Sequence, residues 1–217
     1  SSSSRNTIPA TRREIKMPLL DRKIHMIGIG GAGMSSAARL LLARGCTVSG
    51  SDGTATEITE ELAALGARVF IGHSRGNIPI GCDLVVATAA ARLNNPDIRE
   101  ARKRGIEVIK YAKLLGMLME ENCGIAVAGT HGKTTTSSMI AEVLRSAGTS
   151  PSYVIGGKIV THTGSDCAGS GPYLVAEACE YDRSFLNLRP QICVMLNIEQ
   201  DHLDYYRDEA DLSLIHI

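Results

Sequence analysis

The chain has 217 residues, with 23 basic and 23 acidic side chains and 44% hydrophobic residues. That length holds one large or two small domains with a real core, and the balanced charge leaves no electrostatic footprint for nucleic acid or an anionic membrane. No apolar run approaches the length that crosses a bilayer. The six cysteines are scattered without C-x-x-C pairs, several in apolar strand contexts where they act as small hydrophobes, so a soluble protein of the reducing cytoplasm is expected.

Residues 1–21 open with Ser1-Ser2-Ser3-Ser4-Arg5-Asn6, which lacks the apolar core of a signal peptide and reads as a disordered or extended tail. A strand at Lys23–Ile27 then runs into Gly28-Ile29-Gly30-Gly31-Ala32-Gly33. The helix that follows, Gly33–Ala43, carries Met34, Ala37, Ala38, Leu41 and Leu42 on one stripe. A second strand, Thr47–Gly50, ends at Ser51-Asp52, which puts an acidic residue about twenty positions past the glycines, as in a dinucleotide-binding βαβ unit. The pyrophosphate such a loop cradles is common to any nucleotide diphosphate. Further strands are expected at Arg68–Ile71, Asp83–Ala87 and Ile106–Ile109, with helices at Thr56–Leu65, Pro96–Arg104 and Ala112–Glu120. Residues 22–119 therefore read as a Rossmann-like parallel-sheet domain, and the polar stretch 120–124 as a linker.

Past the linker, the apolar strand Ile125-Ala126-Val127-Ala128 leads into Gly129-Thr130-His131-Gly132-Lys133-Thr134-Thr135-Thr136, and a helix follows with Met139, Ile140, Val143, Leu144 and Ala147 on one face. A strand, a glycine-bounded turn and a helix N-terminus make a nest of backbone N–H groups suited to a polyphosphate. Lys133 places a cation among the β- and γ-phosphate oxygens, and the Thr134 hydroxyl is a candidate Mg²⁺ ligand, so this is a candidate ATP site. The loop is a variant: in the pattern G-x-x-x-x-G-K-[ST] the first glycine falls at position 127, which is Val127. His131 is either a phosphate donor or loop filler. Strands are expected at Tyr153–Ile155, Tyr173–Ala176 and Ile192–Leu196, with a loop at Thr161–Pro172. The fold class is α/β: the Rossmann-like domain followed by a partial P-loop-type ATPase domain over residues 125–211.

Two polar segments fall just past apolar strands, where α/β folds place chemistry. In Glu177-Ala178-Cys179-Glu180-Tyr181-Asp182 the candidate Mg²⁺ ligand is Glu177, with Glu180 and Asp182 as alternatives. In Asn197-Ile198-Glu199-Gln200-Asp201-His202 the candidates are Asn197, Asp201 and His202. The last six residues, Leu212-Ser213-Leu214-Ile215-His216-Ile217, continue no pattern and match the translation of a transposase adapter used in sequencing libraries. A non-native tail on a truncated chain is the expectation there; a short C-terminal strand is the alternative.

The combination I-G-I-G-G-A-G-M-S, G-S-D, A-G-T-H-G-K-T-T-T, E-A-C-E-Y-D-R-S-F and N-I-E-Q-D-H-L-D, spread over residues 22 to 211, resembles the Mur ligase family. The resemblance implies an ATP-dependent ligase in which ATP phosphorylates the carboxylate of UDP-N-acetylmuramic acid and the amine of L-alanine attacks the acyl phosphate, with Mg²⁺ as cofactor. It further implies that Gly129, Thr130, His131, Gly132, Lys133, Thr134 and Thr135 hold the triphosphate. It assigns Mg²⁺ to Thr134, Glu177 and His202, and catalytic roles to Lys133, Asn197 and His202. In the first domain it implies that Gly28, Gly30, Gly31, Ala32 and Gly33 bind the UDP pyrophosphate, with Ser51, Asp52, His73 and Thr88 as candidates for the uridine or sugar. The family run is closer to E-A-D-E-S-D, so Cys179 and Tyr181 depart from it while Glu177 and Asp182 remain. Two rival readings are a murein-tripeptide recycling ligase of the same family and an NAD-dependent oxidoreductase built on the first βαβ unit; the latter leaves the phosphate loop, Glu177 and His202 without a role.

Overall fold

Short apolar runs alternating with helical stripes build two parallel sheets within residues 19–156, 168–178 and 181–197, the part of the chain that the computed structural model describes. The first sheet comprises β1 (Lys23–Ile27), β2 (Thr47–Asp52), β3 (Arg68–Ile71), β4 (Leu84–Ala87) and β5 (Glu107–Lys110) in the order β3-β2-β1-β4-β5. Its helices are α1 (Ala32–Ala43), α2 (Glu57–Ala64), α3 (Pro96–Lys103) and α4 (Tyr111–Glu120). The strand order reverses between β1 and β4, which opens a ligand crevice at the C-terminal ends of these strands. The second sheet comprises β6 (Cys123–Ala128), β7 (Ser152–Val154), β8 (Tyr173–Glu177) and β9 (Ile192–Met195) in the order β7-β8-β6-β9, with α5 (Lys133–Ser146) following β6.

Local chemistry explains several boundaries. Thr56 caps α2 in a reciprocal box, its Oγ1 accepting from Thr59 N while Thr56 N donates to Thr59 Oγ1. Asn95 caps α3, accepting from Asp97 N at 2.8 Å, and Pro96 takes the first helical position. The strand β2 runs two residues past the expected Gly50, because Ser51 and Asp52 still pair with Phe70 and Ile71 of β3. Gly50 is required by close packing: a Cβ there would sit 2.6 Å from the Met26 carbonyl.

Two sequence expectations are corrected. The stretch 120–124 is not all linker: α4 runs to Glu120 and Cys123 already belongs to β6, where its N–H donates to Pro172 O at 2.8 Å, leaving only Glu121 and Asn122 between the elements. The buried stripe of α5 is also turned from the expected one. Ser137 and Ala141 are buried, with Ile140 and Leu144 packed against Ile125 and Val175, whereas Met139 is 57% and Val143 67% exposed. Ile140 and Leu144 satisfy both stripes, so periodicity alone does not choose; the small side chains at 137 and 141 let α5 approach β6 and β8 closely. Residues 161–167 of the expected loop Thr161–Pro172, the tails 1–18 and 198–217, and the side chains of 181–183 lie outside the described residues.

The main apolar cluster does not stop at the boundary between the sheets. Leu40 and Leu41 of α1 and Leu114, Leu118 and Met119 of α4 share it with Ala126, Val154, Leu174 and Ala176 of the second sheet. On its outer side α4 meets a 3-10 turn, Tyr181–Asn187, where the absence of a Cβ at Gly116 admits the Asn187 backbone. Both sheets are thus clamped to the same two helices.

One buried polar residue departs from the apolar pattern of β1. His25 is fully buried, its Nδ1 lies 2.9 Å from Ser49 Oγ, and its Nε2 has no partner. Burial holds the imidazole pKa down at about 4, against an opposing pull from Asp97 and a smaller push from His73. The ring is neutral when folded and titrates normally when unfolded, so its contribution is complete above about pH 6.5 and is lost as pH falls toward 4. We expect about 2 kcal/mol of stability to disappear between pH 7 and pH 5 through this group alone. Urea melts of wild type and His25→Asn at both pH values check this; equal pH dependence in the two proteins would refute it.

Candidate functional site

The first loop turns sharply out of β1. Gly28 has φ +79°, its N–H donates to Ser51 O at 2.7 Å, and a Cβ would meet Thr88 Cγ2 at 2.7 Å. Gly31 is the N-cap of α1 with no side-chain cap, so the first amides of the helix open toward the crevice. Gly33 is pressed against Tyr111, whose Oη would lie 2.7 Å from a Cβ. The Asp52 carboxylate braces this loop: Oδ2 accepts from Gly30 N at 2.9 Å and Oδ1 from Thr54 N at 3.3 Å. Ser51 Oγ and His73 Nδ1 stand 3.0 Å apart at the ends of β2 and β3, and both reach the buried Asp97.

A cavity of about 230 Å³ lies beside the loop, walled by the first turn of α1, Thr88, Lys110, Tyr111 and, from the second half of the chain, Ser184. Neither Lys110 nor Tyr111 was singled out from the sequence. The readable signal was Lys110's place at the C-terminal end of a parallel strand, and Tyr111 shows itself only through its contact with Gly33.

The second loop is built like the first but held differently. Gly129 has φ +142°, and a Cβ there would approach Leu196 Cβ at 3.0 Å and Asn197 N at 3.2 Å. Gly132 is the N-cap of α5 in the left-handed region, φ +84°, again with no side-chain cap. Lys133 begins the helix, and its Nζ donates to Gly129 O at 2.6 Å and Thr130 O at 3.2 Å, which keeps the cation over the mouth of the loop. Thr134 and Thr135 are exposed beside it. Asn197, two residues past β9, grips the loop: its Oδ1 accepts from His131 N at 2.9 Å, its Nδ2 donates to His131 O at 3.1 Å, and its carbonyl accepts from Thr130 N at 3.3 Å. The amides of Thr130 and His131 are therefore both engaged by Asn197.

Asn197 thus braces the loop through its peptide, and only an amide side chain can both donate and accept in that arrangement. We expect Asn197→Asp, which lacks the donor and sets a carboxylate against the His131 carbonyl, to weaken ATP binding about tenfold, roughly one lost hydrogen bond to the loop. Titration with a fluorescent ATP analogue reads the change; unaltered affinity would deny the clamp a role in binding.

Glu177 ends β8 opposite Val127 of the adjacent β6, one strand from the phosphate loop. Its Oε1 accepts from Gly156 N at 3.2 Å, and the preceding residue, Ile155, offers its carbonyl to Ser36 Oγ of α1 at 3.1 Å. This short bridge places Glu177 between the helix of the first loop and the strand of the second. The Glu177 carboxylate and Thr134 hydroxyl are hard oxygen donors of the kind Mg²⁺ takes, with phosphate and water completing the shell. Among the described residues no group of three His, Cys, Asp or Glu gathers to hold a metal. His202, Asp201 and Glu180, and the side chain of Asp182, lie outside the described residues.

Comparison with known proteins matches the two halves in turn. The Mur ligase catalytic-domain model covers residues 23–122, and the Mur ligase middle-domain model covers residues 127–213. The chain belongs to the Mur ligase family. The first match ends between α4 and β6, and the second begins within β6. Among curated Mur ligases, the chain is 51% identical over 88% of its length to a UDP-N-acetylmuramate–L-alanine ligase of Geotalea uraniireducens and 52% identical over 88% to one of Carboxydothermus hydrogenoformans. It spans 42% and 41% of those relatives. Among solved Mur ligase structures, that of a UDP-N-acetylmuramate–alanine ligase from Thermotoga maritima is 34% identical with a TM-score of 0.81, covering 89% of this chain and 45% of that one. A UDP-N-acetylmuramate:L-alanyl-γ-D-glutamyl-meso-diaminopimelate ligase from Neisseria meningitidis is 31% identical with a TM-score of 0.80, over 90% of this chain and 66% of that one. The expected α/β architecture is that of these Mur ligases. No helix among the described residues is long and apolar enough to cross a membrane.

Proposed function

We propose that this chain carries the UDP-substrate site and part of the ATP site of a ligase that joins L-alanine to the carboxylate of UDP-N-acetylmuramic acid. The reading rests on about one-half identity to relatives of that name across nearly the whole chain, with both phosphate loops formed. The alternative within the family, a ligase taking a murein tripeptide, is represented by a solved structure at 31% identity, and the higher identity favours L-alanine.

The geometry suits a transfer between the two loops. The pyrophosphate lies on the open N-terminus of α1, and the sugar extends into the cavity toward Lys110 and Ser184. The carboxylate of the sugar attacks the γ-phosphorus of ATP held on the second loop; the bond to the β–γ bridging oxygen breaks, giving ADP and an acyl phosphate. The amine of L-alanine then adds to the acyl carbon, and the tetrahedral intermediate expels phosphate with loss of the amine proton. Both partners of the first step are anions, so what the protein must supply is cationic and dipolar stabilisation of the migrating group. Lys133 and the first amides of α5 do so at the phosphates, and Glu177 and Thr134 would hold Mg²⁺, which neutralises phosphate charge when bound.

Calorimetric titration with UDP-N-acetylmuramic acid, with NAD as comparison, tests the first site. Binding of the UDP-sugar alone is the expected result; binding of NAD instead would overturn the reading.

A further inference from the structure

Asp97 sits in the first turn of α3, fully buried, with the His73 ring beside it. A buried carboxylate is costly unless its oxygens are occupied by donors. Here Oδ2 accepts from Ser51 Oγ at 2.6 Å and lies 3.2 Å from His73 Nδ1, while Oδ1 accepts from Ser74 N at 3.0 Å. The Ser51 proton is directed to Asp97, so Ser51 Oγ can only accept from His73 Nδ1, 3.0 Å away. Both neighbours of Nδ1 are then acceptors, and Nδ1 must carry the proton. The tautomer that carries its one proton on Nδ1 presents an acceptor at Nε2, on the side away from Asp97, and the His73 side chain is 31% exposed.

This ring stands two residues past β3, at the C-terminal edge of the sheet, next to the Asp52 that braces the pyrophosphate loop. In a sheet of order β3-β2-β1-β4-β5 the nucleoside of a bound nucleotide extends over β2 and β3, while the cavity beside Thr88 and Lys110 takes the other end. We propose that Asp97 is a positioning residue for the nucleoside end of the substrate: through Ser51 and His73 it fixes the His73 tautomer that offers Nε2 as an acceptor to a nucleoside N–H or hydroxyl. The proposal rests on reading the first loop as a nucleoside-diphosphate site.

The test titrates UDP into the wild-type chain, His73→Ala and Asp97→Asn by calorimetry, and records the tautomer of His73 in ¹⁵N-labelled protein. An amide at position 97 turns a donor toward Ser51 or His73 and removes the reason for the proton to stay on Nδ1. Expected are UDP binding by wild type, at least fivefold weaker binding by both variants, and a shift of the ring toward the Nε2–H tautomer in Asp97→Asn. Unchanged UDP affinity in Asp97→Asn beside a loss in His73→Ala would overturn the role of Asp97 and leave the nucleotide site standing. Absence of UDP binding by folded wild type would overturn both. Should Asp97→Asn fail to fold, the wild type alone decides: an Nδ1–H ring whose Nε2 resonance moves on adding UDP supports the proposal, and an Nε2–H ring or an unmoved resonance overturns it.

Discussion

Lys133→Ala is expected to slow phosphoryl transfer by the intact ligase by about two to three orders of magnitude, or roughly 3–4 kcal/mol of transition-state stabilisation. The ammonium is held over the loop by Gly129 O at 2.6 Å and Thr130 O at 3.2 Å, two neutral carbonyls that a phosphate readily outcompetes as a partner. On the proposed function, its charge acts on the γ-phosphate, where negative charge is redistributed as the bond to ADP breaks. The backbone nest survives the substitution, since Gly132 and the first turn of α5 are formed by main chain. Turnover should consequently fall much further than ATP affinity. Single-turnover release of ADP with UDP-N-acetylmuramic acid present measures the effect, and a rate within threefold of wild type would remove Lys133 from the chemistry.

The second large effect is structural. Leu118 in α4 is fully buried in the cluster that joins both sheets, which also holds Leu114 and Leu115 of its own helix and Ala126, Leu174 and Ala176 of the second sheet. Truncation to alanine removes the transfer free energy of the side chain and leaves a cavity that two rigid sheets cannot close, which costs about 2–5 kcal/mol. Because α4 serves both sheets, the loss should appear in one cooperative transition. Urea unfolding followed separately by a probe in each half would show coincident midpoints, both shifted downward. Two separated transitions, with only the first sheet destabilised, would mean that the halves fold independently despite the shared cluster.

What was legible in the sequence is local. Both glycine loops could be read because a strand, a left-handed glycine and a helix start are consecutive in the chain, and their geometry follows from a few adjacent residues. The alternation of strands and helices, and the parallel sheets that it requires, follow from the same short-range patterns. The partnerships were not legible. Asn197 lies 66 residues from the His131 peptide that it clamps, and Asp97 lies 46 residues from Ser51 and 24 from His73. That Asn197 clamps the second loop is seen only in its hydrogen bonds to the His131 peptide.

By itself, then, the sequence determined where the two glycine turns lead from a strand into a helix N-terminus, since backbone conformation is a property of neighbouring residues. It also determined the family, since the motifs and their order are written along the chain. The tertiary structure alone decided which side of α5 is buried, which loop amides remain for a ligand, and that one carboxylate orders a serine and a histidine from different strands. Those outcomes depend on burial and on competition among donors and acceptors distant in the chain, and no local pattern encodes which partner prevails.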